Sequence, residues 1–220
     1  MFYLITKSRI AICDVALQLM VMKPEDILPT YEAHGANFAA TRSRSLYERR
    51  WLDRFLGFAP GRNILDLGCG SGLPIARYLG ERNRDITGVD GAKSMVEIFR
   101  KNLPNQEIIH ADMRGLKLDR TFDGILAWNS FFHLSADDQR AMFPIFAAHS
   151  NPKAPLLVTT GPSEGEAIGS VDGAPVYHAS LSPEAYAALF DEAGFDVIDF
   201  IPEDPDCAGH SVWLARKRKS

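Results

Sequence analysis

The sequence predicts an α/β fold: a doubly wound, seven-stranded sheet, mostly parallel with an antiparallel last strand, and helices on both faces. Three observations carry this. From Asn63 onward, short apolar runs alternate with stretches of helical periodicity, the pattern of a parallel sheet built from crossover units. The first run enters a glycine-rich loop, Gly68-Cys69-Gly70-Ser71-Gly72, ahead of a helix. The last two runs are joined by the turn-rich segment Pro202 to Gly209. With no helix between them they read as an antiparallel pair.

Each element has a local reason. Tyr47, Trp51, Leu52, Phe55 and Leu56 recur at helical spacing among arginines, so Thr41 to Phe58 reads as one amphipathic helix, ended by Gly57, Pro60 and Gly61. Asn63 to Leu67 is the first strand, and Leu73 to Leu79 the helix after the glycine loop. Asp85 to Asp90 is the second strand; Ala92 to Asn102 is a helix with Met95, Ile98 and Phe99 on one face. Glu107 to His110 and Phe122 to Trp128 are the third and fourth strands. Ser135, with Asp138 three residues on, caps a helix in an acidic variant of the capping box, and Pro144 is expected to kink it. Pro155 to Thr160 is the fifth strand. Ser182 caps the next helix, with Pro183 in its first turn and Gly194 just past its end. Phe195 to Ile201 and Val212 to Ala215 complete seven strands.

Composition sets the class. The chain has 220 residues, 46% hydrophobic and 24% charged, with 24 Lys plus Arg against 28 Asp plus Glu. This is the balance of a globular protein, not of a disordered, collagen-like or coiled-coil chain. Cys13, Cys69 and Cys207 are far apart and form no C-x-x-C pair, which argues against a disulfide framework and for reduced thiols in a cytoplasmic protein. Ile10 to Met22 is apolar but interrupted by Asp14 and Gln18. It is too short to span a bilayer and lacks a signal-peptide cleavage pattern. It reads as a peripheral helix or as residues ahead of a later start at Met20 or Met22. Residues 1–30 are therefore taken as an N-terminal extension and residues 31–220 as one domain. Residues 121–210 carry 2 basic and 14 acidic groups, which repels a phosphate backbone and argues against nucleic acid as partner.

The chemistry begins at the glycine loop. Positions without Cβ let a ligand lie against the backbone, and a helix N-terminus offers N–H groups. The spacing is G-x-G-x-G, and Leu73-Pro74 stand where a dinucleotide fingerprint wants its third glycine. Asp90 ends the second strand 18 residues after Gly72, where a carboxylate can accept both hydroxyls of a ribose. Asp112 follows the third strand on the same carboxyl edge.

These runs, LDLGCGSG at Leu65 to Gly72, GVD at Gly88 to Asp90, ADM at Ala111 to Met113, FDGILAWNSFFHL at Phe122 to Leu134 and GFDVIDF at Gly194 to Phe200, resemble the class I S-adenosylmethionine-dependent methyltransferases. The later stretch is similar to a bacterial small-molecule subgroup. The resemblance covers about residues 31–217 and implies a Rossmann-like fold, S-adenosyl-L-methionine as cofactor and methyl transfer to a small molecule, in a monomer or homodimer. It also implies roles for individual residues. Gly68, Cys69 and Gly70 would line the methionine end, with Asp66 ordering the loop. Asp90 would hold the ribose, flanked by Gly91 and Ala92. Asp112 would accept the adenine amino group, and Met113 would pack on the ring. Trp128, Asn129 and Ser130 would close over the sulfonium, and Tyr31 with Arg42 or Arg44 would reach the methionine carboxylate.

On the acceptor side, His133 follows the fourth strand and is a candidate general base. His178 lies in the long stretch between the fifth strand and its helix; residues 161–181 are expected to form a lid or substrate loop. The histidines lack metal-ligand spacing, so no catalytic metal is expected. Three alternatives stay open: a nicotinamide-dependent oxidoreductase, a non-catalytic module that binds S-adenosylmethionine, and an aminopropyltransferase.

Overall fold

The computed structural model describes residues 22–219. The apolar segment that precedes Met22, with Cys13 and Met20, lies outside the described residues. The main sheet has seven strands: β1 (Asn63–Leu67), β2 (Asp85–Asp90), β3 (Glu107–His110), β4 (Gly124–Ala127), β5 (Pro155–Thr160), β8 (Phe195–Asp204) and β9 (His210–Lys217). Between β5 and β8 the chain forms a separate two-stranded sheet, β6 (Gly165–Val171) with β7 (Ala174–Ser180). The helices are α1 (Ile27–Thr41), α2 (Arg49–Phe58), α3 (Ile75–Gly80), α4 (Lys93–Asn102), α5 (Ala136–His149) and α6 (Pro183–Glu192). Among the described residues no helix is long and apolar enough to cross a membrane.

The order across the sheet is β3-β2-β1-β4-β5-β9-β8. Pairing is parallel from β3 through β5, and β9 runs antiparallel to both β5 and β8. The seven strands and the antiparallel end therefore stand as the sequence predicted. Every residue of β4 and β5 is buried, as expected for strands covered on both faces. Neighbouring residues serve opposite layers, because side chains alternate along a strand. Ile64 joins Trp51, Phe55 and Leu214 on one side, and Leu65 joins Ile125, Phe146 and Trp213 on the other. The Ser135 hydroxyl accepts from the Asp138 amide at 3.1 Å, the Ser182 hydroxyl accepts from Ala185 at 3.2 Å, and Gly194 takes φ +77° past α6. Helix α5 runs through Pro144 without interruption.

Three segments differ from expectation. The helix expected over Thr41 to Phe58 is two helices, with Arg42 to Glu48 outside both. Arg42 leaves α1 at ψ 133°, and the Ser43 hydroxyl accepts from the Ser45 amide at 3.2 Å. Such local side-chain bonds compete with helix. The expected loop over 161–181 is the β6/β7 hairpin, turned at Asp172 (φ +52°) and Gly173 (φ +79°), the left-handed pair of a two-residue hairpin turn. Finally, α1 begins at Ile27, so the boundary drawn at residue 30 falls inside a helix. Ile27, Val171, Val176, Tyr177 and Ala179 form a small core with Tyr31 and Phe38, so α1 and the hairpin make one cap.

Strand order reverses between β1 and β4, and β2 lies on the far side of β1. The carboxyl ends of these strands open into a crevice at that switch point, where ligands bind in open α/β sheets.

Candidate active site

The crevice is an open cleft with about 820 Å³ of empty space, part of it continuous with solvent. Its floor comes from the glycine loop after β1 and from Trp128, Asn129 and Ser130 after β4; its roof is α1. Gly68 has φ +69°, and a Cβ there would lie 2.3 Å from the Ser130 Cβ, so floor and loop can meet only at glycine. Ser130 is held by donating to the Leu67 carbonyl at 2.7 Å. Gly70, at φ +55°, has nothing within 4 Å of where a Cβ would stand. Its bare backbone faces open space.

Most amides of this loop are not free. Those of Gly68 and Cys69 donate to the Val89 carbonyl at 2.8 and 3.2 Å, and that of Gly70 donates to Asp90 Oδ2 at 2.8 Å. The following helix, α3, is six residues long and has Pro74 at its N-cap. The loop thus lacks the row of unspent N–H groups that cradles a phosphate.

Carboxylates do the polar work instead. Asp90 accepts from Gly70 through Oδ2 and from Ala92 through Oδ1 at 2.9 Å, which leaves lone pairs on both oxygens for a ligand. Burial pushes its carboxyl up, and the two amides hold it back. Asp66 is buried in a small recess that joins the cleft and is shared with Arg42, Gly68, Cys69 and Trp128. Burial pushes it up to about 7, against the opposing Arg42 guanidinium. Arg42 lines both cleft and recess, stacks at 5.9 Å over the Phe38 ring, and has no carboxylate within ion-pair distance among the described residues. The Trp128 indole N–H is buried and also lacks a partner among them.

The structure brings most of the expected residues to one place. Tyr31, Arg42, Gly68, Gly70, Asp90, Gly91, Asp112, Met113, Trp128, Asn129, Ser130 and His133 all line the cleft. Asp66 and Cys69 line the recess, and Ala92 is buried behind Asp90 as the donor to its carboxylate. His178 does not line the cleft. It lies beyond His133, 4.8 Å between ring centroids, and packs edge-on against Phe132 at 4.7 Å. Burial lowers its pKa; it lowers that of His133 to about 4.

Two features had no signal in the sequence pattern. Arg114 grips Asp112 through Nε at 2.9 and 3.1 Å and through Nη2 at 2.6 Å, so part of the carboxylate expected to face adenine is committed. His210, from the start of β9, meets the Asn129 side-chain nitrogen at 3.2 Å. Arg114 lies two residues from Asp112 in the same loop, whereas Asn129 and His210 are 81 residues apart and are brought together by the sheet. Among the described residues no three His, Cys, Asp or Glu side chains converge as metal ligands.

Residues 64–153 match the family model of a methyltransferase domain. Over those residues the chain is similar to that family, and the sheet around them has the fold of solved methyltransferases. The cypemycin N-terminal methyltransferase of Streptomyces sp is 30% identical over 114 residues, 50% of this chain and 46% of that protein. The trans-aconitate 2-methyltransferase of Escherichia coli is 34% identical over 127 residues, 56% of this chain and 47% of that protein. The chain thus spans about half the length of these curated relatives. Among solved structures, an amino pentose methyltransferase from Micromonospora echinaspora superposes with a TM-score of 0.66 at 19% identity, covering 86% of this chain and 96% of that one. The magnesium protoporphyrin IX methyltransferase of Synechocystis PCC 6803 gives 0.66 at 14% identity, over 86% and 94% of the two chains. At such identities the likeness shows the shared fold. Within this shared fold, the cleft lies where β1, β2 and β4 end.

Proposed function

We propose that this protein is an S-adenosylmethionine-dependent methyltransferase that acts on a small-molecule acceptor. One observation carries the reading: the cleft has unspent acceptors at Asp90 and unspent donors at Arg42 and the Trp128 indole. A ligand with a diol toward one end and a carboxylate toward the other satisfies both. The committed loop amides favour a nucleoside without phosphates over a dinucleotide, which disfavours the nicotinamide reading. In this assignment Asp90 holds the ribose beside Gly91 and Ala92, and Met113 and Asp112 border the base. Arg42 takes the carboxylate, and Asp66 with Gly68, Cys69 and Gly70 surrounds the methionine end. Trp128, Asn129 and Ser130 form the floor.

Bound there, S-adenosylmethionine supplies an electrophilic methyl group, which is the difficult part of the chemistry. The protein aligns the partners and excludes water; alignment alone contributes several kcal/mol. The cap formed by α1 and the β6/β7 hairpin serves as the lid over the acceptor, and residues 24–219 act as one catalytic unit. The acidic character of residues 121–210 favours a neutral or cationic small molecule over nucleic acid. We place the enzyme in the cytoplasm, as a monomer or homodimer.

Calorimetry with S-adenosylmethionine and with NAD tests this, followed by transfer of labelled methyl to a metabolite extract. The expected result is saturable binding of the methyl donor and a labelled product. Binding of NAD with no response to the methyl donor would end the reading. Donor binding with no transfer would leave a binding module.

A further inference from the structure

Tyr31 and His133 are 102 residues apart in sequence and share one hydrogen bond, 2.9 Å between Tyr31 Oη and His133 Nε2. The other ring nitrogen, Nδ1, is 2.9 Å from the Tyr177 carbonyl oxygen. A carbonyl can only accept, so Nδ1 carries the hydrogen and Nε2 is bare. Tyr31 is therefore the donor to His133, and its own oxygen has only lone pairs left to offer. Both side chains line the cleft, and His133 is buried.

We propose that the Tyr31 oxygen, oriented by His133, receives the N–H or O–H of the methyl acceptor at the point of transfer. The acceptor is then an amine or a hydroxyl compound. This rests on the methyltransferase reading. It reassigns Tyr31 from the methionine carboxylate to the acceptor, and it makes His133 a positioning residue, since its basic nitrogen reaches the acceptor only through Tyr31.

Two further facts place Tyr31 at that point. It shares the cleft lining with Asp90 and Arg42, whose opposite charges act on its hydroxyl in opposite directions. It comes from α1, on the roof, opposite Trp128 and Asn129 on the floor. Burial lowers His133 to about 4, which keeps Nε2 unprotonated and open to the Tyr31 hydrogen at neutral pH.

The proton balance follows. An N–H or O–H acceptor that gains a methyl group sheds one proton. Tyr31 Oη takes it while the Tyr31 hydrogen passes to His133 Nε2; the Nδ1 hydrogen stays on Nδ1, donated to the Tyr177 carbonyl. The imidazolium so formed replaces the positive charge that the methyl donor gives up, and it loses its proton to water after the product leaves.

The test uses sinefungin, which carries an ammonium where the methyl donor carries its transferable methyl, beside S-adenosylhomocysteine, which carries nothing there. Wild type, Tyr31→Phe and His133→Leu are titrated with each by calorimetry. Tyr31→Phe is expected to weaken sinefungin about tenfold or more and S-adenosylhomocysteine by roughly twofold at most. His133→Leu lets the Tyr31 hydrogen turn into the cleft and lowers the same affinity ratio. A general loosening of the fold would weaken both ligands and leave the ratio unchanged. Equal weakening of both ligands, or of neither, overturns the assignment. No heat from wild type with either ligand overturns the methyltransferase reading and the inference with it. Nitrogen NMR of His133 in the wild-type protein decides the geometry independently: the Nδ1–H tautomer is expected, and the Nε2–H tautomer overturns it.

Discussion

Asp90 and Gly70 are joined by a 2.8 Å hydrogen bond from the glycine amide to Oδ2 of the acid. The acid that ends β2 therefore shapes the loop that follows β1, as well as facing the cleft. Asp90→Asn places an NH2 group against one of two amide donors, at Gly70 or Ala92. Loss of a buried bond of this kind costs about 1–3 kcal/mol. Affinity for S-adenosylhomocysteine is expected to fall by about tenfold or more. Calorimetry and urea denaturation measure the two effects separately, and unchanged nucleoside affinity in a folded variant would refute the role of Asp90.

Gly68 and Gly70 differ in what a methyl group would meet. Gly68→Ala drives a Cβ to 2.3 Å from the Ser130 Cβ at φ +69°, and the expected result is a loss of about 2–4 kcal/mol of stability. Gly70→Ala meets no atom within 4 Å and pays only for its left-handed backbone, about 1 kcal/mol. Its new methyl group enters the cleft, so its main effect is on ligand binding. Thermal melts with and without S-adenosylhomocysteine should show the two variants in opposite order.

Asp66 gives a pH signature. Its folded pKa of about 7 lies above the unfolded carboxylate range. The folded state keeps a proton between about pH 4 and pH 7 that the unfolded chain has released, so this group's contribution to stability falls across that window and is constant above it. Asp66→Asn removes the fall. The stability difference between variant and wild type should grow in favour of the variant by a few kcal/mol from pH 5 to pH 8. A pH-independent difference in urea midpoints would refute the burial argument.

Asn37 on α1 donates to both carboxylate oxygens of Asp172 at the hairpin tip, each at 2.8 Å, and His34 lies 3.6 Å from the same acid. These exposed contacts latch the cap. Asn37→Ala should leave global stability within about 1 kcal/mol while speeding amide exchange across Gly165 to Ser180. Unchanged exchange there would show that the apolar packing of Ile27, Val176 and Tyr177 holds the cap without the latch.

Much of the scaffold was legible in the sequence because its signals are local. Apolar runs marked the strands, Ser135 and Ser182 marked helix starts, and Leu73-Pro74 separated the glycine loop from a dinucleotide fingerprint. Asp172-Gly173 also carried a hairpin signal in the stretch taken for a loop. Arg42 to Glu48 misled because their apolar spacing is helical, while the Ser43–Ser45 contact and the exit of Arg42 toward the cleft break the helix.

By itself, then, the amino-acid order determined the seven strands, their alternation with helices and the acids at the strand ends, since hydrophobic period and caps act over a few residues. Only the tertiary structure decided that the loop amides are consumed by Val89 and Asp90, that Asn129 meets His210, and that Tyr31 bonds His133 while His178 stays outside the cleft. Those pairings join distant parts of the chain, and their geometry comes from how the sheet, the helix α1 and the hairpin pack.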